Sequence, residues 1–564
     1  MARNPRRLDE IRVQRSEIEN HYIDEFLAGR LSRRSFLRRG GMIGLSVPTI
    51  GAILAACGGA NNSSSTAASG AAAAPSKRGG LLRVANQTPT AEVNPLTVTD
   101  GGGLLMLCQT GEFLINDDTG RGGQPLAPAL ALSWRPNANG TVWTFKLRPG
   151  VKFHDGSPMT ADDVVYTFQQ LVDPKNASNA LSAFMGILSP AGVVKVNAMT
   201  VAFHLEAAIG NFPYLVSSDT YNAIIVPKGT DFGKWQRTFI GTGPWKLQSY
   251  TQNVGARFVA NPTYWGSKPL LSGTEFSFFT SQQPQLLALE GGQVEVVTAF
   301  SAQGAKAVIN NPQYTIVRLK SSSHQEMSMR TDQAPFTDPR VRQAVALTLN
   351  RPELVQALID GYGSVGNESP FAPASAFTDT SVAQRTQDLA KAKQLLAAAG
   401  HPNGFHTTLF VGVQEELPLL AQAIAADAAK VGITITLKVE TLAAYYGKST
   451  FGNSDWLDGT MSLLNYAGRG VPNVVLEAAF TTHGVWNAAR FHNRQYDALV
   501  KQFVAAVDLS SQRQLAGKIQ TLLLAETPVI VPYFIDELNA TTSNVHGVYG
   551  SEAQQLFLGK AYLS

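Results

Sequence analysis

Four short constellations place reactive side chains close enough together to suggest chemistry. His154-Asp155-Gly156 sets an imidazole beside a carboxylate, a pairing able to shuttle protons or bind a metal. Gly361-Tyr362-Gly363-Ser364-Val365-Gly366 has the GxGxxG spacing of a dinucleotide loop, and Gly447-Lys448-Ser449 matches the end of a phosphate loop. His401 and His406 are close in sequence, as metal ligands often are. In each case the local context points away from chemistry. Asp155 and Gly156 are turn formers ahead of a capped helix. The GxGxxG stretch follows a helical segment at 352–359 and precedes a proline-rich loop, whereas a nucleotide loop needs a strand before it and a helix after. Leu442 stands where a phosphate loop requires its first glycine. His401 and His406 flank a Pro-Asn-Gly-Phe turn, and no HExxH, GxSxG or paired-acid pattern is present. The sequence thus predicts no catalytic residue, no metal centre and no cofactor.

The elements around these decoys are those of a multi-domain α/β protein. A chain of 564 residues with 44% hydrophobic and 16% charged residues is long enough for several cores and too apolar for disorder. Its formal charge of +4 is concentrated at the amino terminus, where residues 1–56 hold 10 arginines against 6 acids. The rest of the chain has 36 basic and 36 acidic residues, which removes the basic footprint a nucleic-acid partner requires. Two cysteines, Cys57 and Cys108, exclude thiolate metal cages.

Residues 1–56 read as an address. Ser32-Arg33-Arg34-Ser35-Phe36-Leu37-Arg38 precedes a weakly apolar stretch at 40–56, the pattern of a twin-arginine export signal carried by Arg33 and Arg34. The stretch is shorter than the roughly 20 apolar residues of a bilayer span and is interrupted by Gly44, Pro48 and Gly51. It ends in Leu54-Ala55-Ala56-Cys57-Gly58, which resembles a lipobox, so Cys57 is the expected lipidated first residue of the mature chain. Small polar residues at 57–80 predict a flexible tether. Twin-arginine routes carry folded cargo, which fits a body left with Cys108 alone, a thiol expected to be buried and inert.

Beyond residue 80 the periodicities alternate between two and 3.6. Residues 81–85 and 142–147 read as strands. Thr160 with Asp163 forms a capping box before Val164, Val165, Phe168, Leu171 and Val172 at helical spacing. Asp338-Pro339 and Asn350-Arg351-Pro352-Glu353 start two more helices, and a third spans 386–399 before Gly400. Residues 407–411, 417–430 and 433–437 form a βαβ unit and predict parallel sheet. The Pro/Gly clusters at 261–273 and 361–373 read as loops. Trp143, Phe145, Phe153 and Trp245 are expected in the core.

The segment from Trp143 through Phe153-His154-Asp155-Gly156 to Val164 resembles the signature of family 5 extracellular solute-binding proteins, the peptide- and nickel-type receptors of ABC importers. Gly241-Thr242-Gly243-Pro244-Trp245, Asn261-Pro262-Thr263-Tyr264-Trp265 and the run from Ala288 to Val297 follow in the family's order. Pro335-Phe336-Thr337-Asp338-Pro339-Arg340 and Glu526-Thr527-Pro528-Val529-Ile530 extend the resemblance over about residues 80–550. It implies an α/β, two-lobed clamp of the type II periplasmic-binding-protein kind, with an extra subdomain in the first lobe. The implied division is 81–114, 229–320 and 530–564 for the first lobe, 115–228 for the extra subdomain, and 321–529 for the second lobe.

The resemblance also implies a function: a monomeric, lipid-anchored receptor outside the cytoplasmic membrane that captures a peptide or peptide-like solute and delivers it to an ABC permease, without hydrolysing anything. A chelated metal, opine, sugar or other small anionic solute is the alternative within the class, and an exported hydrolase the alternative outside it. Recruitment of the fold for signalling or chaperoning stays open. In peptide-binding members an aspartate before a proline clamps the ligand's α-ammonium. The corresponding stretch here, Leu464-Asn465-Tyr466-Ala467-Gly468-Arg469-Gly470-Val471-Pro472, lacks it and offers Arg469, whose guanidinium suits carboxylate or phosphate. Trp456, Tyr466 and Trp486 are candidate cleft walls, with Asn487 as an amide donor. By family analogy Phe113 and the segment 324–330, ending at Arg330, lie near the cleft.

Overall fold

Alternation in Val142–Leu147 sends Trp143, Phe145 and Leu147 inward. This strand lies in a four-stranded antiparallel sheet ordered Ala131–Pro136, Val142–Leu147, Thr200–His204, Val193–Asn197. Helix Ala161–Val172 begins with the expected box: Thr160 accepts from the Asp162 amide, and the Asp163 carboxylate accepts from the Thr160 amide at 2.7 Å. Its apolar stripe sets Phe168 edge-on against Phe203, ring centroids 5.0 Å apart. The computed structural model describes residues 79–117 and 126–564. Arg33, Arg34, Cys57 and most of the tether lie outside the described residues. No helix among the described residues is long and apolar enough to cross a membrane.

Two larger sheets carry the rest. The first has seven strands in the order Tyr314–Leu319, Glu537–Thr542, Val296–Val297, Leu81–Gln87, Gly273–Phe279, Gly255–Ala260, Trp245–Thr251. Leu81–Gln87 is parallel to both of its neighbours, and the remaining pairs are antiparallel. Trp245 and Phe276 pack into the core shared with the four-stranded sheet, while Ala85, Val297 and Leu538 join Leu286 and Leu289 in a separate core.

The second sheet runs Gly363–Val365, Tyr533–Ile535, His324–Met329, Met461–Tyr466, His406–Gly412, Thr434–Glu440, with Val529–Ile530 also on His324–Met329. His406–Gly412, helix Leu417–Ala429 and Thr434–Glu440 are the expected βαβ unit, with Leu409 opposite Leu437 in parallel register. Asp338 caps helix Pro339–Thr348 through the Arg340 amide. Asn350 precedes helix Arg351–Ile359 but turns its amide to Glu353 at 2.8 Å rather than capping the backbone. The third helix starts later than expected, at Leu389, because Asp388 accepts from the Lys391 amide.

These sheets form the two-lobed α/β plan expected from the sequence. Two details differ. Within the expected loop 361–373, Gly363–Val365 is a strand, paired with Tyr533–Ile535 far along the chain. The chain returns to the first sheet at Asp536, not at residue 530, because Val529–Ile530 and Tyr533–Ile535 both pair in the second sheet.

Candidate functional site

The chain passes between the two large sheets at residues 320–323 and again at Asp536. A cavity of about 270 Å³ lies beside these crossings, close to the lower end for small-molecule sites. One wall comes from the first lobe: Thr99, residues 299–303, Glu537 and residues 552–554. The other comes from the second lobe: Ile359, Tyr362, Glu415, Asn465 and residues 467–469. Ala299, Glu415 and Gln554, all on this lining, hold positive φ values of 46°, 44° and 56°. Such backbone is costly for non-glycine residues and persists where surrounding structure fixes it; the Ala299 amide, for example, donates to Asn539 Oδ1 at 3.0 Å.

Carboxylates dominate the lining. Glu416 accepts from Gln325 Nε2 at 2.7 Å and from the Tyr533 hydroxyl at 3.0 Å. Asp536 accepts from Arg318 and, at 3.1 Å, from Lys320; both cations also donate to second-lobe carbonyls, Gly361 and Gly363. Glu552 accepts from the Ser322 hydroxyl at 2.6 Å and its amide at 3.0 Å. Burial pushes Glu552 up to about 7. Burial, reinforced by repulsion from Glu415, Glu552 and Asp536, pushes Glu537 up to about 8. Glu415 is raised by the surrounding walls and by Glu416. At the cavity's flank Asp219 is raised well above the usual range by burial, then by Asp117 and Glu552. Asp219 packs so tightly on Gly470 that a β-carbon there would sit 1.7 Å from its Oδ2.

Of the residues singled out from sequence, Arg469 is the one on this lining. It is exposed, its backbone is tied to Ser322 at 2.7 Å, and its guanidinium has no hydrogen-bond or ion-pair partner among the described residues. Tyr466 stands immediately behind, its ring 5.5 Å from His324 and 6.0 Å from Trp486. Phe113, Arg330, Trp456, Trp486 and Asn487 lie off this lining. Asn487 has no free amide: Nδ2 donates to Thr481 and Phe491 carbonyls, and Oδ1 accepts from the Phe491 amide. Arg330 is held by Asp332 at 2.7 Å and the Asp458 carbonyl at 3.1 Å. Trp456 is buried against Tyr446. Phe113 is buried beside a different cavity of about 90 Å³ with Cys108 and Glu112.

Sequence reasoning missed Glu415, Glu537, Glu552 and Tyr362. The available signal was the pair of acidic dipeptides, Glu415-Glu416 and Asp536-Glu537, each set in an apolar run. The decoys behave structurally. His154 Nε2 lies 3.0 Å from the Gly243 carbonyl and Nδ1 accepts from the Gly241 amide, so the ring fastens the Gly241–Gly243 turn. Cys108 is buried and free, and burial pushes its thiol up to about 12. Among the described residues no three His, Cys, Asp or Glu side chains are grouped to hold a metal.

Residues 125–473 match the model of bacterial extracellular solute-binding proteins, family 5 middle. The chain belongs to this family. The chain's relatives include heme-binding protein A of Haemophilus influenzae, 26% identical over 438 residues that cover 73% of this chain and 79% of the relative. Di/tripeptide-binding protein 2 of Pseudomonas aeruginosa is 24% identical, covering 72% of this chain and 81% of the relative. Among solved structures, HbpA2 from Haemophilus parasuis superposes with a TM-score of 0.75 at 23% identity, covering 86% of this chain and 99% of that one. The Helicobacter pylori periplasmic binding protein DppA, in complex with the peptide STSA, gives 0.67 at 22% identity over 86% and 98%. These likenesses show the two-lobed fold.

Proposed function

We propose that the protein is an extracytoplasmic receptor that closes its lobes on a peptide or peptide-like solute and presents it to the permease of an ABC importer. The observation that carries this reading is the cavity at the two crossings, lined from both lobes and bearing both carboxylates and the unpaired Arg469. Such a cleft can meet a zwitterion at both ends, and closure follows from tighter binding to the closed form. The names of the relatives, which include di/tripeptide-binding and glutathione-binding proteins, support it. The chain works as a monomer without catalysis. Its lobes divide as 81–114, 229–320 and 537–564 against 321–535, with residues 115–228 as the extra subdomain. It leaves the cytoplasm by the twin-arginine route through Arg33 and Arg34, and lipid on Cys57 holds it at the membrane's outer face.

An anionic solute, such as an opine, is a second reading favoured by Arg469 alone; it would have to sit among the carboxylates opposite. Mass spectrometry of the purified, denatured protein tests the two. A copurified peptide is the expected result, and a copurified non-peptide anion or sugar overturns it. A ligand added at 100 times its dissociation constant should stabilise the fold by about 2.7 kcal/mol in a thermal-shift series. For the anchor, Cys57→Ser should move the protein from the membrane fraction to the soluble one.

A further inference from the structure

The charged residues on the cavity lining are five acids, Glu415, Glu416, Asp536, Glu537 and Glu552, and one base, Arg469. Their partners are unequal. Glu416 and Asp536 are compensated by neighbouring donors, and Glu552 by a single serine. The Glu415 and Glu537 side chains have no hydrogen-bond or ion-pair partner among the described residues. A second observation points the same way: the Asp536 side chain is only 1% exposed, yet its Oδ1 has no donor at all. A buried carboxylate oxygen is ordinarily satisfied. When the lobes close, carboxylates left without partners must take up protons or receive positive charge from the occupant. A zwitterion with one ammonium and one carboxylate answers Arg469 and a single acid, and leaves the others unmatched.

We propose that the solute is a peptide of net positive charge, whose α-ammonium and a further lysine- or arginine-like group are received by Glu415, Asp536, Glu537 and Glu552 while its carboxylate meets Arg469. Tyr221, on the same lining, gives an aromatic face for such a cation. The proposal rests on the peptide reading and narrows it. The cationic anchor comes chiefly from the strand that re-enters the first lobe and the loop at 552–554, replacing the aspartate absent from the second-lobe segment at 464–472. Burial, with repulsion from neighbouring acids, holds Glu537 and Glu552 partly protonated near neutrality, so an arriving cation displaces protons into solvent.

The test is calorimetric titration of the full chain near neutral pH with Ala-Lys-Ala, Ala-Ala-Ala, Ala-Glu-Ala and spermidine. Ala-Lys-Ala should bind roughly tenfold or more tighter than Ala-Ala-Ala, the gain of one hydrogen-bonded charge. It should also release protons, seen as heats that vary with the buffer's ionisation enthalpy. Glu537→Gln should remove most of that preference; Glu415→Gln, at an exposed position, gives a second variant if the first does not fold. Equal binding of the three tripeptides, or preference for Ala-Glu-Ala, overturns the inference and leaves the peptide reading standing. Binding of spermidine with no peptide overturns the peptide reading while the cation-selective cleft survives. Binding of none of the four overturns both.

Discussion

Three half-buried glutamates give the protein a stability profile opposite to the usual carboxylate one. Glu112 is pushed up to about 7 by burial, although Trp265, Tyr264, Thr242 and Arg148 pull it down. Glu537, facing Glu415, Glu552 and Asp536 with Arg318 and Lys320 beyond, reaches about 8. Glu552, facing Ser322 and Asp117, reaches about 7. In the unfolded chain all three ionise near about pH 4.3. Between that pH and their folded values the native state holds more protons, so stability falls as pH rises. His154, lowered by burial, works the other way but only below about 6.5. The ligand-free protein should therefore lose melting temperature from about pH 6.5 to about pH 8, and a flat or rising curve from scanning calorimetry would contradict these assignments. Arg469 makes a separate prediction. Arg469→Ala should weaken a peptide with a free carboxyl terminus roughly tenfold and its amidated counterpart far less, read by titration of both. Arg469 was legible in the sequence because it is the one charged residue in the segment 464–472 ahead of Pro472. Asn487 looked equally suitable, yet nothing local could reveal that its amide closes its own turn.

At the scale of elements, what was legible was what is local. The Thr160 cap, the Asp338 cap and the βαβ unit are set by residues within a few positions of one another, and the structure has all three. Strand Gly363–Val365 was read as loop because its stability comes from Tyr533–Ile535, about 170 residues away. Thr160→Ala should cost about 1 kcal/mol in denaturant unfolding. Asp163→Ala should cost more, because its carboxylate also accepts from the Lys228 amide at 2.9 Å and so ties the helix to the chain returning toward the first lobe. Equal losses would mean that this second bond contributes nothing.

For the whole molecule, the arrangement to test is the ion cluster at the crossings. Arg318 lies just before the first crossing, Lys320 at its start and Asp536 on the second, so one carboxylate joins both connections. Asp536→Asn should destabilise the protein by about 2 kcal/mol and broaden the distribution of lobe separations measured by small-angle scattering without ligand. An unchanged distribution would relegate the cluster to local stability. The two-lobed plan itself came from motif order over most of the chain; the place of the second crossing did not, because an apolar run from 529 to 535 can pair in either sheet.

The same crossing constrains synthesis. Tyr533–Ile535 lies inside the second sheet and Glu537–Thr542 inside the first. The second sheet therefore lacks an interior strand until residue 535 has cleared the ribosome and the first until residue 542, so both become complete within the same few residues. A nascent chain stalled before residue 533 presents two open sheets with unpaired edges, a substrate for chaperones and proteases. Completion of either large sheet thus waits on the segment 533–542, and a product truncated before it has no finished sheet with which to pass as folded.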